Sequence, residues 1–380
     1  MSQQEIIELR HRLHQYPCLS GQERYAHDLI AEELRKCRPS LLFENIAGYG
    51  IVAFWGDVSE PCIAIRADID ALPIQETTPL SYRSQCSGVS HKCGHDGHTA
   101  ILLRLAQLAS AEQVTQLLLI FQPEEETGLG SQKIIDCGVL KRFQIDKIFA
   151  IHNLPGYPLG QVVLAKHTFA AASTGVIYRF QGRQTHASTP EKGLNPGLCV
   201  ADLVQSMQRL NRGPEVSLDE FRQTTLICIR LGEEAFGTSA GDAEVMFTLR
   251  AFTNAGMADL LQRCNQMASE AAGHYGLEYS CQLREPFHAT ENDSVFVCQL
   301  HSFLVSQGID TVFVSQPFRW SEDFANYLMC YSGAMFGVGA GEDLPELHHP
   351  DYDFPDQLIE STASLFLGLV RFLQNSSMKK

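Results

Sequence analysis

The sequence predicts an α/β protein, in which a mostly parallel sheet covered by helices is interrupted by a smaller α+β segment. Three observations predict it. Up to about residue 155, short runs of β-branched and aliphatic residues alternate with stretches whose apolar positions fall at helical spacing. From about residue 168 the order becomes strand, helix, two strands, helix, strand, the ferredoxin-like pattern. After Glu285 longer helices and a strand return, so the larger domain is expected to be discontinuous, 1–167 with 287–380 around an insert at 168–286.

Residues 2–16 and 22–37 have helical apolar spacing and are each followed by breakers. GYGIVAFWG and CIAIRADID, flanked by Gly, Pro and Asp, are expected as strands. A helix over 97–110 leads to VTQLLLIFQ, a buried strand, then SQKIIDCGVLKRF as one helix and DKIFAIHN as a strand. The insert supplies GVIYRFQG, TTLICIRLG, AEVMFTLRAF and EYSCQLR as strands, with helices near 194–211 and 256–273. SGAMFGVG is a further strand, and LHHPDYDF precedes a final helix. In open parallel sheets ligands gather outside the carboxyl ends of the strands. RADID, QPEEE and IHN all stand at such ends.

The 380 residues suffice for two domains, and 44% hydrophobic with 19% charged residues is the composition of a globular protein. A net charge of −15 argues against nucleic acid as a partner, since phosphate binding needs clustered cations. Nowhere do about 18 apolar residues run uninterrupted, so no membrane partner is expected. MSQQEIIELR is charged from the start and lacks a signal peptide's apolar core, so a cytoplasmic location is expected. Eleven of the twelve cysteines are expected to be buried reduced thiols, with Cys93 the exception.

HKCGHDGH, residues 91–98, holds that exception. Cys93 and His95, one residue apart, can face the same side of an extended loop, as two ligands of one metal or of an adjacent pair. A cysteine nucleophile with a histidine base is the other reading, distinguished by activity that survives chelation and dies on alkylation. PEEE, residues 123–126, is either a solvated turn or, beside a metal, one bound carboxylate next to one that moves a proton. His152 after an apolar strand is either a hydrogen-bonded core residue or a functional one. Pro350 fixes the loop after His348 and His349.

HKCGHDGHTA, FQPEEETGLG, IHN, GRQTHASTP, WSEDF and LHHPDYDF, in that order, resemble the bimetal metallopeptidase family of carboxypeptidase- and aminoacylase-like enzymes. The chain is most similar to the branch of hippurate hydrolases, N-acyl-L-amino-acid amidohydrolases, N-acetyldiaminopimelate deacetylases and indole-acetyl-amino-acid hydrolases. RHRLHQYP and IRADIDALPI match that branch too. The resemblance implies a two-metal hydrolase domain carrying a lid and dimerisation domain, and hence a homodimer. It implies two divalent cations per subunit, Zn favoured by the thiolate, with Mn, Ni or Co also able to occupy the site. Cys93 would bridge them, His95 and His152 completing one site, Glu126 and His348 the other.

By the same resemblance Glu125 is the general base and His186 a lid donor to the developing oxyanion. Asp70 would orient a ligand imidazole. Asp68, His91, Asp96 and His98 are expected to support the site. His349 matches the ligand position less well than His348, and Glu322 and Asp323 of WSEDF match a signature without a fixed role. Three positions depart from the branch: Cys18 stands for its glutamate, Glu124 for its alanine, and Gly237 for an asparagine that helps hold substrate. The implied activity is hydrolysis of N-acetyl or N-aromatic-acyl amino acids. A dipeptidase or aminopeptidase of the same bimetal type and a non-catalytic binding homologue are the alternatives.

Overall fold

A computed structural model describes residues 3–377. They divide into two compact units, one built from the segments up to Phe169, Thr290–Ser315 and from Asp323 onward, the other from Ala170–Ala289 with Gln316–Glu322. The first unit opens with α1 (Gln3–Gln15) and α2 (Arg24–Lys36). Ile6, Leu9 and Leu13 of α1, and Leu29, Ile30 and Leu34 of α2, are buried, the one-sided spacing of helices laid on a core. Strands β1 (Leu41–Ile46), β2 (Gly50–Trp55) and β3 (Pro61–Asp68) precede α3 (His95–Ala111). Then come β4 (Leu117–Gln122), α4 (Gly130–Asp136), β5 (Gln144–Pro155) and β6 (Val162–Leu164). SQKIIDCGVLKRF is therefore two elements: α4 ends near Cys137, Gly138 turns the chain at φ 76°, and Val139–Arg142 forms a 3-10 turn.

The second unit runs through β7 (Ala172–Gln181), the short β8 (Thr185–His186), α5 (Gly197–Gln208), β9 (Arg222–Leu231), the short β10 (Thr238–Ser239), β11 (Asp242–Ala251), α6 (Asn254–Tyr275) and β12 (Glu278–Phe287). Its main sheet has the order β12, β7, β11, β9, all antiparallel, which is the ferredoxin-like arrangement. Val176, Tyr178, Phe180, Val245, Phe247 and Leu249 alternate inward and pack with α5 and α6. Residues 316–322 lie far along the chain yet join this unit. Ala171 N–H donates to the carbonyls of Phe318 and Trp320, and Arg250 Nη1 donates to that of Arg319.

The chain re-enters the first unit with α7 (Ser294–Ser306), β13 (Thr311–Phe313), α8 (Ala325–Leu328), β14 (Gly333–Gly341) and α9 (Gln357–Ser377). The eight strands lie in the order β1, β2, β4, β3, β5, β14, β6, β13. The middle four, β4, β3, β5 and β14, are parallel. The margins are mixed, since β1 on β2, β2 on β4 and β6 on β14 are antiparallel. Every residue of β2 and β4 is buried, as expected of strands covered on both faces. Gly97 lets α3 meet the Phe354 ring, which lies 2.4 Å from where a Cβ would sit. Among the described residues no helix is long and apolar enough to cross a membrane. All twelve cysteines carry free thiols, but Cys137, Cys281, Cys298 and Cys330 are exposed, which corrects the expectation of eleven buried ones.

Candidate metal centre

The four parallel strands deliver chemistry to one edge. Asp68 ends β3, Glu125 and Glu126 follow β4, His152 lies within the last turn of pleat in β5, and the His348 loop follows β14. Cys93 and Gly94 directly precede α3, whose first residue is His95, so this pair sits on a turn into a helix and not on an extended loop. Gly94 takes φ 95°, and a Cβ there would meet Asn153 at 2.6 Å; only glycine fits both demands.

Two groups of donors share one sulfur. The ligand atoms of Cys93, His95 and His152 all lie within 4.8 Å of one another, and so do those of Cys93, Glu126 and His348. Cys93 Sγ is 3.5 Å from His152 Nε2. Glu126 Oε1 is 3.8 Å from His95 Nε2 and 3.9 Å from His348 Nε2. Donors roughly 2.0–2.3 Å from a tetrahedral cation stand about 3.3–3.8 Å apart, so Cys93 with His152 is spaced as two ligands of one ion and Glu126 with His348 nearly so, while Glu126 and His95 belong to neighbouring sites. Hydrogen bonds fix the tautomers in the same sense. His95 Nδ1 donates to the Asp70 carbonyl at 3.0 Å and His152 Nδ1 to the Asn153 carbonyl at 2.9 Å, leaving each Nε2 lone pair for a metal. His95 Nε2 is buried and makes no hydrogen bond, a cost that a coordinated cation would remove.

The electrostatics agree. Burial, and next the charge of His98, hold His152 far below the usual imidazole range, and burial with His95 lowers His348, so both rings are neutral donors. Against the cost of burial, Asp68 and the Cys93 sulfur push His95 toward keeping a proton, and these negative surroundings suit a metal ion equally. Burial and the neighbouring Glu126 carboxylate raise the Cys93 thiol. That opposes its use as a free nucleophile, which needs an electropositive, partly exposed setting, although His152 is close enough to be its base. A metal held by these donors would supply the missing positive charge.

The three carboxylates of PEEE part company because the turn is tight. Glu124 adopts φ 55°, and the position of a Gly130 Cβ lies 1.7 Å from the Pro123 carbonyl oxygen. Glu124 turns out to Lys133, 2.6 Å away. Glu126 turns to the donor cluster, its own N–H bonded to Asp70 Oδ2. Glu125 is buried, its Oε1 accepting from the Asp323 N–H at 3.3 Å.

A buried scaffold missed in the sequence stands behind Glu125. Arg66, fully enclosed in β3, donates to Asp68 at 2.6 Å, Gln122 at 2.9 Å and Asp323 at 2.8 Å, and Asp323 also receives Gln122 Nε2 and the Ser131 N–H. An arginine inside the apolar run CIAIRAD was the visible signal. Asp68 is thereby tied to Arg66 and, at 2.7 Å, to His98, whose other nitrogen meets Asn153; though burial opposes it, His95, His98 and Arg66 hold Asp68 well below the usual carboxylate range. His91 is buried and lowered to about 4 by desolvation, hence neutral. Asp96 joins Arg10 and His14, and His349 turns into its own loop, accepting the Asp351 N–H. Glu322 and His186 belong to the second unit. His186 is exposed, its Nδ1 accepting the Ser188 N–H at 3.1 Å, which places the ring proton of the neutral form on Nε2.

The donor set is that of a metal-dependent enzyme, and the relatives of the chain are amidohydrolases and deacetylases, which together define its class as a metal-dependent amidohydrolase. More particularly, residues 64–371 match Peptidase family M20/M25/M40, and the chain belongs to that family. It is 30% identical to IAA-amino acid hydrolase ILR1-like 5 of Arabidopsis thaliana, over 98% of this chain and 87% of the relative. It is 29% identical to N-acetyldiaminopimelate deacetylase of Oenococcus oeni, over 94% of both. Among solved structures, the Bacillus subtilis YXEP protein, a dinuclear metal-binding peptidase of the M20 family, superimposes with TM-score 0.84 at 25% identity over 98% of each chain.

Proposed function

We propose that this protein hydrolyses the amide bond of N-acyl amino acids, and that Cys93 with His95 and His152, and the same Cys93 with Glu126 and His348, are the residues that would hold two divalent cations. The observation that carries the reading is one sulfur shared by two donor groups, with two imidazoles already turned Nε2-first toward it. When bound, such a pair of cations supplies Lewis acidity to the amide carbonyl and acidifies a water.

The chain's own residues do the rest. Glu125, beside the donor cluster and held by the Asp323 N–H, takes the water's proton and returns it to the leaving amine. His186 Nε2–H is the donor to the charge developing on the amide oxygen. Asp70 keeps the His95 ring in place through Nδ1. Zn is the cation a thiolate favours, and Mn, Ni or Co fit the same donors.

The reading extends to a homodimer through the second unit. On edge strand β9, Ile227, Ile229 and Leu231 are 59%, 43% and 43% exposed, with Leu198 at 68%. An edge so apolar invites a partner strand. Free thiols throughout suit a reducing compartment, the cytoplasm.

The test is to strip the metal, restore Zn, Mn, Ni or Co singly, and assay N-acetyl and N-benzoyl amino acids beside dipeptides. Hydrolysis of the N-acyl amino acids should return with metal, and Glu125→Gln should bind metal yet lose at least ~10²-fold in kcat. Full activity in Glu125→Gln, or in the stripped enzyme, contradicts the reading.

A further inference from the structure

The loop that joins α1 to α2 leans on the two turns that carry the carboxylates of the metal centre. Ala71 N–H donates to the Cys18 carbonyl at 2.8 Å, and Ser20 Oγ donates to Asp70 Oδ2 at 2.7 Å, the oxygen that also receives the Glu126 N–H. Glu23 reaches further. Its side chain is fully buried, with Oε1 accepting the N–H groups of Gly21 at 2.8 Å and of Glu124 at 3.0 Å, while Oε2 has no hydrogen-bond partner. Burial, with the Asp70 charge adding to it, outweighs those two donors and raises the group from 4.5 to about 7, so above neutral pH a carboxylate stands here at a cost in stability. A group kept on those terms points to a task other than holding the fold together.

The residue it grips is the strained one. Glu124 has a φ of 55°, a conformation unfavourable for any residue with a Cβ. Its carbonyl is held within the turn, by the Gly130 N–H at 3.1 Å and the Thr127 hydroxyl at 3.1 Å. Its N–H is held by Glu23, from 101 positions away along the chain. We propose that Glu23 is a positioning residue: acting through the Glu124 peptide, it keeps the PEEE turn in the conformation that sends Glu125 and Glu126 to separate tasks. This rests on the reading of Glu126 as a metal ligand and Glu125 as the base. Both groups that Glu23 receives are backbone N–H groups, so the task requires an acceptor of the right reach and not a negative charge.

The test is a competitive chelator titration with Zn on wild type, Glu23→Asp and Glu23→Gln. Glu23 is the N-cap residue of α2, a position that aspartate favours, so Glu23→Asp should fold while its carboxylate falls a methylene short of Glu124. Of the two ions expected in wild type, one should weaken at least about tenfold in Glu23→Asp, the scale of losing a group that orients a ligand, and the other should stay within about threefold. Glu23→Gln keeps both the acceptor and its reach, and should bind both ions within about threefold of wild type. A merely structural role would show in unfolding and leave the affinities of the folded protein unmoved. Both ions held by Glu23→Asp as in wild type, both weakened alike, or a loss in Glu23→Gln equal to that in Glu23→Asp overturns the inference while leaving the two-metal reading standing. Fewer than two ions in wild type overturns that reading itself.

Discussion

Raising the pH should loosen the first unit through His14. Its Nδ1 lies 2.9 Å from Asp96 Oδ2 and its Nε2 2.9 Å from Glu76 Oε1, so both ring nitrogens act as donors only when the ring is charged. Arg10, the Tyr82 and His91 rings and, through Glu76, Lys92 surround it. Burial and Arg10 oppose the charge, yet the two carboxylates lift the imidazole from 6.5 to about 9. The folded state thus holds this proton more tightly. The stabilisation is complete below pH 6.5 and lost as pH rises to about 9. At 1.36 kcal/mol per tenfold in proton affinity, that interval corresponds to about 3 kcal/mol. The assay is urea unfolding of metal-stripped protein followed by Trp55 fluorescence, in a Trp320→Phe background so that only the first unit reports. Glu23, raised from 4.5 to about 7 by burial, costs stability as pH rises through that interval and is common to both proteins compared. The gap between wild type and His14→Gln should be widest at pH 6.5 and shrink by about 3 kcal/mol by pH 9. Parallel curves across that window refute the reasoning.

The Lys92 ammonium is fully buried between Glu76 Oε1 at 2.6 Å and the Tyr352 carbonyl at 2.7 Å, and the Lys92 carbonyl accepts the His348 N–H. Lys92→Met should cost about 3–5 kcal/mol in the same unfolding assay, the usual penalty for breaking a buried pair from one side; a loss under 1 kcal/mol counts against the pairing. Asp70→Asn keeps the shape but weakens the acceptor for His95 Nδ1, and should reduce metal affinity about 10–100-fold in a competitive chelator titration, with unfolding little changed at saturating metal. Unaltered affinity would show that Asp70 does not orient the ligand.

Much of the fold was written in periodicity. The fully buried β2 and β4 and the one-sided α1 and α2 announce themselves because burial dictates their residues directly. Strands β1, β6 and β13 did not, since LLFENI is only partly buried and the other two are three residues long, held by neighbouring strands. Likewise the antiparallel margins of the sheet depend on long-range pairing that no local run encodes. At the site, the residue types of HKCGHDGH and PEEE pointed to metal and proton chemistry, but not their geometry. The three-way divergence of Glu124, Glu125 and Glu126 follows from positive φ at Glu124 and the close approach of Gly130 to the Pro123 carbonyl, and the approach of His348 depends on its own φ of 65°. Those conformations are imposed by tertiary contacts. Arg66 binding Asp68, Gln122 and Asp323 at once was equally hidden, because its partners lie up to 257 positions apart.

Everything in the proposed chemistry turns on Cys93 serving two ions at once. The direct measurement is metal content per chain, by elemental analysis after dialysis against Zn, for wild type and Cys93→Ala in parallel. Two ions in wild type and fewer than one in the variant, with a folded circular dichroism spectrum in both, is the expected result. Two ions retained without that sulfur would contradict the account.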